Sequence, residues 1–468
     1  MGKNNSQYYV GAINNSPWLN IKSQSGVVMS VINWDKINQE VQDLLVDLIK
    51  INTTNPPGNE LEAAKFLQKI FEREGINSTI YESAPGRGNL VARIPGNGKA
   101  RPLALIAHLD VVTANPVQWS HHPFAAEIDD GYIWGRGAID MKGMLAMEAL
   151  VLCLLKRNGQ TPGREVILVA AADEEAGSEQ GVEWLLKQDI PGLAGVEYII
   201  NEGGEGKIDN GIPVYACQNG EKGVLWVKMK VHGSPGHASM PSKDNAIVKM
   251  SVLLNRIARY KPAISLSETT RNFLLEMAKA RGLRLTKDSV NLDYSLQLFA
   301  NRHYKKERSV QAMLYNTISP TIIHAGEKTN VLPEICEATL DCRLIPGETP
   351  ESFLGTIKNV VNDSTVEWEI LQSAEPTESP VNTELFSIIR KTVQTINPKA
   401  VTVPYLSPGA TDSRYFRKRG VTAYGFFPII LSESELQRMH GIDERISLEN
   451  LKQGTRILYE TVKEVVGV

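Results

Sequence analysis

The sequence predicts an α/β protein in which a mostly parallel sheet is covered by helices and a separately folded α+β segment interrupts the chain. Three observations carry this expectation. From residue 35 to about 201, short apolar runs of the kind that form buried strands alternate with segments of helical period. Near Glu221 the pattern changes to long alternating strands, and it changes again at Pro346-Gly347. The chain has 468 residues, enough for two or three domains of about 100–200 residues each.

In order along the chain, apolar residues recur at helical spacing over 35–51 and 60–73, and the runs 90–94 and 103–107 read as buried strands. A helix over 141–156 follows a Gly-rich turn, then come a strand over 165–172, a helix over 179–187 and a strand over 198–201. Such alternation calls for crossover helices on a parallel sheet. An alternating strand at 224–231, helices near 244–259 and 268–280 and an alternating strand at 337–344 mark a different layering. The expected insert is therefore 222–346, with hinges near Gly220–Gly223 and Pro346-Gly347, inside a discontinuous domain of 31–221 and 347–468. The last helix is announced by Ser447 as N-cap and by one apolar face of Leu448, Leu451, Leu458, Val462 and Val465.

With 42% hydrophobic and 22% charged residues the chain can bury sizeable cores, which excludes wholesale disorder. A formal charge of -3 gives no general attraction to nucleic acid. No apolar run approaches the roughly 20 residues that cross a bilayer, so no membrane span is expected. Residues 1–30 are polar and rich in Asn and Ser, lacking the features of a secretory signal, and read as a loosely ordered leader. Cys153, Cys217, Cys336 and Cys342 form no CxxC pair, which points to a reducing cytoplasm.

The residues that carry chemistry stand at strand ends. His108 and Asp110 follow the run 103–107 and, two apart in an extended chain, face the same side. Asp110 is a candidate to orient the imidazole of His108. Asp140 ends the turn Gly135-Arg136-Gly137-Ala138-Ile139, where it is either a helix N-cap or a carboxylate between two metal ions. Asp173, Glu174 and Glu175 crowd together after a buried strand, which cations would relieve. Glu202 repeats the arrangement after 198–201, and His440 is a lone downstream imidazole. Two divalent ions balance Asp140, Glu175, Glu202 and one hydroxide, with His108 and His440 as neutral ligands. Glu174 is then left over, as a general base should be.

These segments resemble the co-catalytic zinc aminoacylase and carboxypeptidase family, which includes acetylornithine deacetylase, succinyl-diaminopimelate desuccinylase, glutamate carboxypeptidase and relatives of aminoacylase-1. The resemblance runs from about residue 35 to 468 and rests on H-L-D-V-V at 108–112, G-R-G-A-I-D-M-K-G at 135–143, D-E-E-A-G-S at 173–178, N-E-G-G-E at 201–205 and Met439-His440-Gly441. It implies a zinc-peptidase-like catalytic domain with two Zn2+ per subunit, and an inserted lid that makes a homodimer. It makes His108 and Glu202 ligands of one ion, Glu175 and His440 ligands of the other, Asp140 the bridge and Glu174 the base. His237, in Gly233-Ser234-Pro235-Gly236-His237, matches a residue that stabilises the oxyanion, in the same subunit or across the dimer, with His232 a weaker candidate. Asn330 and Arg343 match residues that hold a substrate carboxylate, a role that the planar fork of Arg suits. Gly409 falls in a segment similar to the family's substrate loop.

The expected function is hydrolysis of an amide bond in an N-acyl amino acid or a peptide with a free carboxylate, by zinc or, at such ligands, Co2+ or Mn2+. Two other enzyme classes fail. The run Asn201–Ile208 has Asn where a P-loop has its first Gly and Ile in place of Ser or Thr. No G-x-S-x-G elbow is present for a serine hydrolase. A catalytically inactive relative that binds metal or ligand is the alternative, since fold does not fix chemistry.

Overall fold

The computed structural model describes residues 32–468, and the expected leader at 1–30 lies outside the described residues. The chain divides into two units, one of residues up to Gln218 with Ser379–Val403 and Thr411–Val468, the other of Asn219–Glu378 with Pro404–Ala410.

In the first unit the sheet order is Asn77–Ala84, Arg87–Ile94, Val166–Ala171, Leu103–His108, Tyr198–Asn201, Thr422–Gly425 and the part of Ile212–Glu221 up to Gln218. Its centre is parallel, because Leu103–His108 pairs in parallel with both Val166–Ala171 and Tyr198–Asn201, and Thr422–Gly425 continues the parallel run. Alternate residues of each strand enter different cores. Leu103, Leu105, Val166, Leu168 and Ala170 face the helices Trp34–Lys50, Lys142–Asn158 and Leu448–Val466. Ala104, Ile106, Ile167 and Val169 face Val182, Leu185 and Phe416. This two-sided burial is why the central strands read as continuous apolar runs.

Lys142–Asn158 is buried around nearly its whole circumference, as a helix wedged between a sheet and further helices must be. Ser447 caps the last helix by accepting the N–H of Asn450 at 3.1 Å. The helix expected over 179–187 shortens to Val182–Leu185. Residues 173–181 instead build a tight loop, and a Cβ on Gly181 would lie 1.8 Å from the carbonyl oxygen of Ala172.

Glu148 sits in the middle of the central helix, fully buried, with no hydrogen-bond partner on either carboxylate oxygen. Burial pushes its pKa well above the ordinary 4.5. The folded chain therefore holds a proton there that the unfolded chain releases, and stability falls as pH rises above the unfolded value. Glu148→Gln, which stays neutral, is expected to be increasingly more stable than the parent above pH about 4.5, by up to about 1.4 kcal/mol per pH unit. Denaturant unfolding of both proteins across pH 4–8 checks this, and a gap that does not grow with pH counts against it.

The second unit is an antiparallel sheet in the order Thr317–Ala325, Ile335–Leu344, Gly223–His232, Glu367–Ala374. One face, with Leu225, Val227, Met229, Ala338 and Leu340, packs on the helices Ala246–Arg259 and Pro350–Val361. The insert was expected to end at 346, yet Phe353, Ile357 and Val361 pack in this core and Glu367–Ala374 pairs with Gly223–His232. The turn at Pro346-Gly347 thus lies between two elements of one core, which the local pattern could not distinguish from a domain edge. Among the described residues no helix is long and apolar enough to cross a membrane.

Candidate active site

The parallel register sets His108 opposite Ala171 and Leu105 opposite Ile200, so three strands end at one edge of the first unit's sheet. The central strand carries His108, and its neighbours lead into Glu174-Glu175 and Glu202. The chain leaves the central strand for one neighbour and then passes to the other side, the kind of switch point where open α/β sheets collect ligands. Glycines follow Glu202 because the chain turns sharply there. Gly204 has φ +72°, and a Cβ on it would lie 2.3 Å from the carbonyl oxygen of Gly425.

Asp140 is not the helix N-cap, one of its two sequence readings. That position belongs to Met141, and no side chain caps it. The Asp140 carboxylate instead divides between two imidazoles, with Oδ1 at 3.0 Å from His108 Nε2 and Oδ2 at 3.0 Å from His440 Nε2. Glu202 Oε2 lies 3.5 Å from the same nitrogen of His108, and Glu175 Oε2 lies 3.1 Å from that of His440. Each oxygen of Asp140 therefore faces one imidazole and one further carboxylate. Glu174 joins the first side, since ligand atoms of His108, Glu174 and Glu202 lie within 4.8 Å of one another.

Electrostatics mark this cluster as short of positive charge. Bonds to Asp140 and Glu175 push His440 up to about 10 against partial burial. Burial opposes charge on His108, but Glu202, Asp110 and Asp140 outweigh it and raise the imidazole well above its usual range. Burial pushes Glu202 up to about 7, with His108 pulling the other way. Burial and the neighbouring Glu202 raise Glu174 well above the carboxylate range. For Asp140 burial is overcome by the two histidines, which hold it below that range. Glu175 Oε1 is buried without a hydrogen-bond partner. Imidazole and carboxylate donors around an orphaned oxygen form a donor set that suits divalent cations on both sides of Asp140.

Asp110 meets the imidazole of His108 through both its backbone and its side chain. His108 Nδ1 makes its shorter contact, 2.9 Å, with the backbone oxygen of Asp110, and the carboxylate is 3.5 Å away. That carboxylate accepts the N–H groups of Glu174 and Glu175, both at 3.1 Å, and Asn55 Nδ2 at 2.8 Å. Asp110 thereby fixes the backbone of the acidic loop while its main chain and carboxylate both face the Nδ1 side of the imidazole.

Other supports escaped sequence reasoning. Arg87 reaches Asp173 at 2.6 Å and Glu60 at 3.0 Å, holding the first residue of the acidic loop. Glu444, fully buried, accepts the N–H groups of Gly137, Ile139 and Asp140 and pairs with Arg136. Asp412 accepts the hydroxyl of Ser178. The only hint in the sequence was the polarity of these residues beside the motifs, which surface residues share.

His237, Asn330, Arg343 and Gly409 lie in the second unit. Gly236–His237 pairs with Val331–Leu332, and the carbonyl of Asn330 accepts the N–H of Ala238 at 3.0 Å. His237 Nδ1 accepts the N–H of Ser239 at 3.2 Å, which leaves Nε2 to carry the proton of the neutral ring. Arg343 donates from Nε and Nη2 to Asp341 at 2.7 and 2.9 Å. The N–H of Gly409 donates to Ser407 Oγ at 3.1 Å, and His232 is bound to Glu367 at 3.0 Å.

The family model described as Peptidase family M20/M25/M40 matches residues 104–464. The chain belongs to this peptidase family. Similar curated proteins include Probable carboxypeptidase S-like 2 of Dictyostelium discoideum, 30% identical over 78% of this chain and 71% of that protein. Human N-fatty-acyl-amino acid synthase/hydrolase PM20D1 is 28% identical over 86% of this chain and 82% of that protein. Among solved structures, the M20 family metallo-carboxypeptidase Sso-CP2 of Sulfolobus solfataricus aligns with a TM-score of 0.65 at 20% identity, over 91% of this chain and 98% of that one, a likeness of fold. As an M20 peptidase the chain is a metal-dependent enzyme that hydrolyses amide bonds.

Proposed function

We propose that this M20 peptidase is a two-zinc deacylase or carboxypeptidase, cleaving the amide bond of an N-acyl amino acid or a peptide that ends in a free carboxylate. The observation that carries the reading is the Asp140 carboxylate, with a histidine and a further acid at each of its oxygens. His108 and Glu202 would hold one ion, Glu175 and His440 the other, and Asp140 both. Bound ions supply Lewis acidity to the scissile carbonyl and to the attacking water. Glu174, fixed by its N–H to Asp110, takes a proton from that water and passes it to the departing amine. His237, with its proton on Nε2, donates to the oxyanion. Asp341 holds the Arg343 fork from one side, leaving the Nη1 edge for the substrate carboxylate, with Gly409 in the substrate loop, whereas Asn330 lies beside His237 beyond the other end of Ile335–Leu344 and would act with that histidine.

The second unit is assigned as lid and dimerisation domain. Thr317–Ala325 is an edge strand with Ile322 50% and Ile323 55% exposed, a surface suited to a second copy of the chain. Four buried free thiols accord with a cytoplasmic setting. The similarity to a carboxypeptidase S-like protein and to an N-fatty-acyl-amino acid hydrolase supports a carboxylate-bearing substrate but leaves its acyl group open.

Zinc-loaded protein mixed with N-acyl amino acids, dipeptides and longer peptides is expected to cleave at least one class, read by mass spectrometry. It should carry two metal ions per chain and lose activity on chelation. No bound metal and no cleavage would sink the reading in favour of an inactive relative.

A further inference from the structure

We propose that Asp412 is a positioning residue for the base: through Ser178 it holds the far side of the loop that carries Glu174. This rests on the assignment of Glu174 above.

The loop 173–178 closes on itself, the N–H of Ser178 donating to the carbonyl of Asp173 at 2.6 Å. Its near side is held by Asp110 and by Arg87 on Asp173. Its far side is held from the turn that opens Ser413–Arg417. The buried Ser178 hydroxyl donates to Asp412 Oδ1, and the hydroxyl of Tyr415 donates to the carbonyl of Gly177 at 2.7 Å. The same turn reaches the strand that leads to Glu202, where Asn201 Nδ2 donates to Ser413 Oγ at 3.0 Å.

Asp412 is itself buried, and its Oδ2 has no hydrogen-bond partner. A neutral acceptor would fasten Ser178 without burying a bare carboxylate oxygen, so structure alone does not call for an acid here. What position 412 supplies is an acceptor oxygen, and chain continuity shows what that acceptor connects. Asp412 follows Ala410 by two residues, and Ala410 ends the segment that carries Gly409 of the proposed substrate loop. The link from that segment to Ser178, four residues beyond the base in the same loop, is thus one residue of chain and one hydrogen bond.

Ser178 has φ +68°, a backbone state that glycine adopts more readily than serine, so Ser178→Gly removes the hydroxyl without straining the backbone of the loop. It is expected to lower kcat about tenfold or more, with KM within about twofold and metal content unchanged, as a misplaced base would. Asp412→Ala should match it, Asp412→Asn should recover most of the rate by keeping an acceptor, and the double variant should be no worse than either single one. Wild-type kcat in Ser178→Gly, or losses that multiply in the double variant, would overturn the proposal. Should Asp412→Ala fail to fold, Ser178→Gly alone decides. Glu174→Gln separates the two readings. If it retains turnover, the base assignment fails, whereas an inactive Glu174→Gln beside a fully active Ser178→Gly rejects only the positioning role.

Discussion

Glu174→Gln is expected to lose about 10²–10⁴-fold in turnover while the chain keeps its full complement of metal. The substitution is nearly isosteric, so the backbone bond from residue 174 to Asp110 survives. Glutamine has no basic site of comparable strength, so no group at that position can accept the proton of the attacking water. Both sides of Asp140 keep their histidines and their partners Glu202 and Glu175. Steady-state kinetics beside metal analysis of one preparation checks the claim. Loss of metal together with turnover would instead make Glu174 a ligand, a role its closeness to His108 and Glu202 makes worth testing.

What the sequence could reveal divides along physical lines. Fully buried parallel strands such as Val166–Ala171 are uniform apolar runs, so they were legible, and so were the acidic residues placed at their ends. The strand Thr422–Gly425 was missed because four residues carry too short a pattern, although it continues the parallel centre. The hairpin strand Asn77–Ala84 was missed because none of its side chains is fully buried and most are polar, as an edge strand allows. In the site, side chains that meet at Asp140 are named by motifs, but the groups that hold those motifs are not. Asn55 serves both Asp110 and Asp173 from a separate loop, 55 and 118 residues away in the chain. Hydrogen bonds of that separation leave no periodicity in the sequence. Asp110 shows the limit most directly: the spacing puts its side chain beside His108, where the carboxylate stands 3.5 Å from Nδ1, but announces neither the backbone oxygen at 2.9 Å nor the N–H groups of the acidic loop that the same carboxylate accepts.

Glu444→Ala should produce the largest loss of stability in the first unit, about 3–5 kcal/mol, because it strips the partner from a buried cation. Glu444 Oε2 accepts from Arg136 Nη1 at 2.6 Å and from the N–H of Gly137 at 3.0 Å, while Oε1 accepts the N–H groups of Ile139 at 2.8 Å and Asp140 at 3.0 Å. Alanine leaves these donors facing a cavity. Arg136 also donates to the carbonyl of Gly441 at 2.6 Å, so the same pair ties the loop before Asp140 to the residue after His440. Metal affinity should therefore fall with stability, which is why the comparison belongs in metal-free protein, where ligand linkage adds nothing to the unfolding midpoint. Glu444→Gln should lose less: its one carbonyl oxygen can serve Ile139 and Asp140, but its amide then meets the donors of Arg136 and Gly137. A midpoint unchanged in both variants would mean that Arg136 finds another acceptor and that the loop before Asp140 stands without Glu444.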